Sequence, residues 1–367
     1  MVEWQHKSDK REDKTWEEKV MHIPDGYLSP ETCVVFYGAA VPIWYKASQR
    51  MKKLLNTRSL PLVSIFAAFA FTIQMLNIPI PGGTTAHAVG GTLMAIVLGP
   101  WPAVIGMSVA LAIQAIFFGD GGITALGANS FNMAIALPLT GYLVYRLLSG
   151  NAPSPRRRAV AAAIGGYVGI NVAGLLTGIE LGVQPLLWSE GGRALYNPYG
   201  LETTVPAMML VHLTLAGFAE AALTGLATAY LLRAHPTLFV VEAATVLKTG
   251  RHLGRMGWAL VGALGVLVVL TPLGLLAPGG ADFEWGTEEL RQMVGYVPGG
   301  LARLREFWRL APLPDYGLPG FGAEAGFLGQ AFGYILSAIV GVGLIFVSMM
   351  AIRILLVRRG QAIEERS

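Results

Sequence analysis

Long apolar stretches, separated by short clusters of polar and charged residues, recur along most of this chain. Nine such stretches are predicted to be helices, at residues 31–48, 59–77, 85–99, 101–118, 125–148, 158–183, 204–233, 257–276 and 330–356. Many approach the roughly 20 residues that a helix needs to cross a hydrocarbon layer. Gly99-Pro100-Trp101-Pro102 interrupts the third and fourth stretches and reads as a tight turn, because paired prolines stop a helix. The pattern predicts an all-α, polytopic membrane bundle with a core of about seven helices and a two-helix C-terminal module.

The polar intervals divide the chain further. Residues 1–20 are a mixed-charge run with no apolar centre and no cleavage pattern of small residues, so they do not read as a signal peptide. They read either as a polar tail or as a consequence of a mis-set start ahead of a true first residue at Met21. Residues 21–235 form the expected core, 236–256 a cytoplasmic linker, and 257–367 a two-spanning accessory module. A composition shift near residue 277 marks an extracytoplasmic loop over 277–328, with Asp282, Glu284, Glu288 and Glu289 among its charges. In the sixth stretch, Gly165, Gly169 and Ala173 recur at a spacing that lets helices approach closely.

Composition agrees with a lipid-facing protein. The chain is 53% hydrophobic and 14% charged, with a mean hydropathy of +0.53, which one soluble core cannot bury. The net charge of +4 raises the question of an acidic partner such as nucleic acid. The location of the basic residues answers it. Lys46, Arg50, Lys52, Lys53 and Arg58, then Arg156, Arg157 and Arg158, then Lys248, Arg251 and Arg255, then Arg353, Arg358 and Arg359 occupy every second loop. That is the bias that retains loops in the cytoplasm. Met21 is therefore expected outside an inner, cell membrane and the C-terminus inside, with no nucleic-acid partner.

One cysteine, Cys33, excludes multi-cysteine metal cages. HExxH, GxxxxGK[ST] and GxSxG are all missing from the sequence, so zinc protease, nucleotide hydrolase and serine hydrolase chemistries lack their motifs. What remains is nitrogen. A dipeptide Xaa-His at a free N-terminus presents the terminal amine, the backbone nitrogen of the His and its imidazole in one plane. Met21-His22 supplies that set if Met21 is the mature first residue, and His87, at the start of the next outward-facing segment, is the best further donor. In-plane nitrogen ligation suits copper(II) or nickel(II), admits cobalt(II), and disfavours magnesium and calcium.

Two further groups draw attention. His212 and Glu220 stand eight residues apart in one apolar stretch, close to two helical turns, so they read either as a pathway or as a self-satisfying pair. Asn129, Ser130 and Asn132 follow the outward loop Gly119-Asp120-Gly121-Gly122. Their side chains are expected either to support metal-binding imidazoles or to bond between helices.

Three segments carry a resemblance: MHIPDGYLSP at Met21–Pro30, HAVGGTLMAIVLGPWPAVIG at His87–Gly106, and GDGGITALGANSFNMA at Gly119–Ala134. Together they resemble the CbiM/NikM family, the substrate-binding membrane subunits of energy-coupling-factor importers for cobalt and nickel. Gly295-Tyr296-Val297-Pro298 and Pro312-Leu313-Pro314-Asp315-Tyr316 are similar to the small accessory subunit fused to some relatives. The resemblance implies metal ligation by Met21, His22 and His87. It also implies partners, a transmembrane coupling subunit and cytoplasmic ATPase subunits, and nickel or cobalt as transported substrate with no resident cofactor. The expected function is thus a capture subunit and not an enzyme. Its rivals are a self-sufficient permease or channel using His212 and Glu220, a membrane hydrolase, and a structural scaffold. A peptide bond on the Met21 nitrogen would remove the amine donor, so the mature protein is expected to begin at Met21.

Overall fold

The structure is a computed structural model and describes residues 22–55, 60–80, 84–150, 154–234, 252–277, 285–305, 307–308, 310–318, 321 and 325–364. Met21, residues 1–20 and residues 236–251 of the expected linker lie outside the described residues. The chain is a polytopic helical membrane protein. Six helices among the described residues are long and apolar enough to cross a membrane.

A strap, His22–Ser29, leads into helix α1 (Pro30–Leu55). Ser29 caps it: its hydroxyl accepts from Thr32 N at 3.1 Å, satisfying one of the unpaired first-turn amides. Helix α2 (Leu60–Gln74) is followed by a hairpin of β1 (Ile78–Ile80) and β2 (Thr84–Ala86), in which Ile78 pairs with Ala86. Next come α3 (Gly91–Leu98) and α4 (Pro100–Phe118), the latter ending in a wide π-helical turn. Then α5 (Leu126–Ser149), α6 (Pro155–Leu187) and α7 (Leu201–Ala234) complete the core. Between α6 and α7 lies a short hairpin, β3 (Ser189–Glu190) with β4 (Arg193–Ala194). Its turn residues Gly191 and Gly192 have the positive φ that a two-residue hairpin connection requires.

The stretch expected to span at 85–99 differs from that expectation. Residues 84–86 are committed to the hairpin and 87–90 are not helical, so α3 keeps only eight helical residues, about 12 Å of rise. Gly90, at φ +76, turns the chain into it. The break foreseen at Gly99–Pro102 separates α3 from α4, with Pro100 at the first turn of α4 where its missing N–H costs nothing.

Helix α6 is the axis of the core, packed against α5 on one side and α7 on the other. Its small residues permit that contact: a Cβ on Gly169 would stand 2.7 Å from Leu137 O, and one on Gly166 2.9 Å from Thr224 Oγ1. Large side chains on the outer faces, Leu147, Leu226, Val266 and Val347 among them, are exposed, as a lipid-solvated surface requires.

The C-terminal module adds α8 (His252–Leu270), α9 (Thr287–Val294), α10 (Gly299–Arg305) and the long α11 (Gly326–Glu364). Helices α8 and α11 pack on α2. The segment between them folds over the strap: Leu290 and Leu301 join Ile23, Tyr27 and Leu28 in one buried apolar cluster. Tyr27 donates its hydroxyl to Trp285 O at 2.7 Å, and Gly26 lies so close to Leu301 that a Cβ would sit 2.6 Å from its carbonyl oxygen.

Candidate metal centre

Two histidines far apart in sequence meet beneath the C-terminal module. The imidazoles of His22 and His87 stand edge to face with centroids 5.4 Å apart and planes at 79°. His22 comes from the strap and His87 from the non-helical run between β2 and α3.

The strap is shaped by the loop Gly119-Asp120-Gly121-Gly122. Gly122 N donates to Ile23 O at 2.9 Å. Gly121 has φ +82, and a Cβ on it would fall 2.9 Å from His22 Cβ and 3.1 Å from Asn129 Nδ2, so only glycine lets the strap lie this close. Asp25 fixes the other end by accepting from Thr124 N at 2.7 Å and Ile123 N at 3.2 Å.

Asn129 binds the strap as a fork. Its Oδ1 accepts from Ile23 N at 3.1 Å and its Nδ2 donates to Ile23 O at 3.0 Å. The side chain therefore grips the backbone beside His22 and not the back of an imidazole. Asn132 points into the bundle, donating to Glu180 Oε2 at 2.9 Å and Thr177 Oγ1 at 3.1 Å, and Ser130 is fully buried beside it in the helix.

His22 is 4% exposed, and both ring nitrogens face oxygen: Nδ1 is 3.0 Å from Asp120 Oδ1, and Nε2 is 3.2 Å from Gln74 Oε1. Burial works to lower the pKa of the ring, but the Asp120 charge and the hydrogen bonds of Asp120 and Gln74 outweigh it, and the pKa is raised above the ordinary imidazole value. Asp120 Oδ2 accepts from the Tyr316 hydroxyl at 2.6 Å. Burial and that carboxylate hold the Tyr316 phenol well above its usual range, so the hydroxyl remains a donor. His87 Nδ1 lies 3.2 Å from Ala88 O. A proton there would leave the Nε2 lone pair as the ligating one.

His212 and Glu220 do not bond to each other. The segment His212–Ala216 is a π-helical turn with Thr214 at φ −107 and ψ −109, and the extra residue rotates the helix face that eight-residue spacing assumes. His212 Nδ1 lies 2.7 Å from Met208 O, its ring seated against Gly174 of α6. Glu220 Oε2 instead accepts from Val89 N at 2.7 Å and Gly90 N at 3.0 Å, at the start of α3. It is thus an anchor for the run that carries His87.

Gln74, Asp120 and Tyr316 are the residues that sequence reasoning missed. Gln74 carried a signal, a single amide near the end of an otherwise apolar helix, where a polar group asks for a partner. Asp120 lay in a loop already marked as outward-facing. Tyr316, roughly 300 positions from the strap, lay in a segment similar to the accessory subunit, which gave no sign of its contact with Asp120.

Residues 22–238 match the family described as the cobalt uptake substrate-specific transmembrane region, CbiM, and residues 256–358 match the PDGLE domain. The chain is 49% identical over 342 residues to the fused nickel transport protein NikMN of Rhodobacter capsulatus, covering 89% of this chain and 95% of that one. It is 42% identical over 339 residues to the probable fused nickel transport protein LarMN of Lactiplantibacillus plantarum, covering 90% and 96%. A crystal structure of a truncated transition metal transporter, 55% identical, superposes with a TM-score of 0.54 over 58% of this chain and 99% of its own.

Proposed function

We propose a function from one established premise: this chain belongs to the CbiM family of cobalt uptake substrate-specific transmembrane proteins and carries a fused PDGLE domain. It is the membrane subunit that captures a divalent nickel or cobalt ion outside the cell, at Met21, His22 and His87. The observation that carries this reading is the convergence of the His22 and His87 rings at 5.4 Å on the same end of the bundle. Asn129 and Glu220 hold the two backbone segments that present those rings. Residues 21–235 are the capture unit and 257–367 its accessory, a division supported by the gap between the two family matches.

Nickel is the favoured cargo. The relatives that align over nine-tenths of this chain carry nickel in their names, whereas those named for cobalt, such as CbiM of Clostridium cellulovorans, align over about a third of it. Planar nitrogen ligation favours nickel on electronic grounds as well.

The sequence holds no phosphate-binding loop, so energy comes from partners, a transmembrane coupling subunit and cytoplasmic ATPase subunits. The Met21 side faces out and the C-terminus faces the cytoplasm, a placement that the alternating basic loops support. Radioactive nickel uptake into proteoliposomes tests this directly. Uptake is expected only when the partner subunits and ATP are present; accumulation by this chain alone would support the permease reading. The commitment of His212 to Met208 and of Glu220 to Val89 and Gly90 already argues against a pathway through that pair.

Proton competition follows from the raised pKa of His22. A metal takes the nitrogen that a proton holds, so nickel affinity falls as pH drops through that raised pKa and recovers above it. Titrations at a series of pH values check the sign: affinity that rises on acidification contradicts ligation by this ring.

A further inference from the structure

At the end of α5 remote from Asn129, α5 and α6 enclose a groove of about 380 Å³, lined by Leu148, Ser154, Arg156, Arg157, Val160 and Ile164. Arg156, Val160 and Ile164 follow one another at four-residue spacing on α6. A guanidinium and two aliphatic side chains therefore form one stripe, about 12 Å long. Val160 and Ile164 are exposed, and the apolar surface continues on α5 at Leu143 and Leu147.

Arg157 is held in position at the head of this groove. Its Nε donates at 2.8 Å to Leu148 O, one of the carbonyls that the end of α5 leaves without a helical partner. Gly150 takes φ +71, and a Cβ there would stand 3.3 Å from Arg157 Nη2, so the guanidinium lies close against the helix end. Its two terminal nitrogens keep four N–H donors. Ser154 Oγ accepts from Arg157 N at 3.2 Å and retains its own proton to donate. Residues 121–179 contain no Asp or Glu, and residues 221–234 of the neighbouring α7 add none. No carboxylate of these helix segments balances the two arginines.

We propose that this groove binds one anionic phospholipid: Arg156, Arg157 and Ser154 take the phosphate, and an acyl chain lies along Leu148, Val160 and Ile164. The order of the groove matches that molecule, with charge at the helix ends, where a bilayer has its headgroups, and aliphatic side chains below. Guanidinium groups suit a phosphate because their N–H groups pair with its oxygens two at a time. A choline headgroup carries its own cation beside the phosphate, which two arginines repel. A free phosphate would use the arginines and leave the aliphatic wall without a role. The inference is independent of metal capture.

The test offers phosphatidylglycerol and phosphatidylcholine in equal amounts to the purified full chain in detergent, and native mass spectrometry reads which lipid stays bound. One phosphatidylglycerol per chain is expected to be retained in preference to phosphatidylcholine. A basic residue beside a lipid surface contributes about fivefold in affinity, so Arg156→Gln lowers retention about fivefold, and the Arg156→Gln, Arg157→Gln double variant roughly thirtyfold. Val160→Trp fills the groove without changing its charge and displaces the lipid as well. Arg353→Gln, in another basic cluster, leaves retention unchanged. Arg156→Gln alters an exposed side chain and spares the Arg157 bond to Leu148, so it carries the test if loss of Arg157 unfolds the chain. Equal retention of the two lipids overturns the proposal. So does wild-type retention by Val160→Trp, a loss in Arg353→Gln as large as that in Arg156→Gln, or displacement of the lipid by an equal concentration of inorganic phosphate.

Discussion

Nickel binding by the mature protein is expected to fall by a factor of about a hundred to a thousand when His22 becomes alanine. Four-donor structural zinc sites bind with on the order of 10–16 kcal/mol, and on that scale one donor among four accounts for roughly 3–4 kcal/mol. The imidazole cannot be replaced by a neighbour: Gln74 and Asp120 approach the ring itself, and both are held in place, Gln74 by its bond to Ala70 O at 2.9 Å and Asp120 by Tyr316. The strap does not depend on the imidazole, since Ile23 is clamped by Asn129 and Gly122, and Asp25 by Ile123 and Thr124. The variant should therefore keep its helical content while losing the metal, with an unfolding temperature lowered because Asp120 is left buried without the His22 imidazole. Calorimetric titration beside thermal unfolding separates the two effects. A collapse of the fold, or retained binding, would speak against a ligand role.

A loss of similar size is expected when the Met21 nitrogen is tied into a peptide bond. In the proposed site the amine is the end of the fused chelate, and an amide nitrogen in its place is a far weaker donor unless it gives up its proton. Protein that retains residues 1–20 and protein that begins at Met21 are told apart by intact mass, and each is then titrated with nickel. The shorter form is predicted to bind roughly a hundredfold more tightly. Equal affinity in both forms would remove the amine from the donor set and leave the two imidazoles to a different first coordination shell.

The helices were legible because lipid rewards unbroken apolar runs, and the breaks between them are written in proline, glycine and arginine. Where the reading differed, local pairing competed with hydropathy. Residues 85–99 read as one span, yet the pairing of Thr84–Ala86 with Ile78–Ile80 takes Thr85 and Ala86 out of the helix. The His212–Glu220 pair looked plausible under a period of 3.6 residues, and the π-helical turn at His212–Ala216 broke that period. At the candidate site, His22 and His87 were legible from their chemistry and from the charge bias that puts both on one side. Asn129 was legible as a participant but not in its task, which is to hold the Ile23 backbone. Asp120 and Tyr316 could not be read. Their significance lies in a contact between a loop of the core and a strained turn of a separate module, and no periodicity or spacing encodes such a contact.

Two imidazoles brought to one place carry the proposed function. Equilibrium titration of a folded His22→Ala, His87→Ala double variant with nickel, against the wild-type protein in the same preparation, tests it most directly. The prediction is one ion bound per wild-type chain and no stoichiometric binding in the double variant. A double variant that still holds one nickel ion tightly would contradict it.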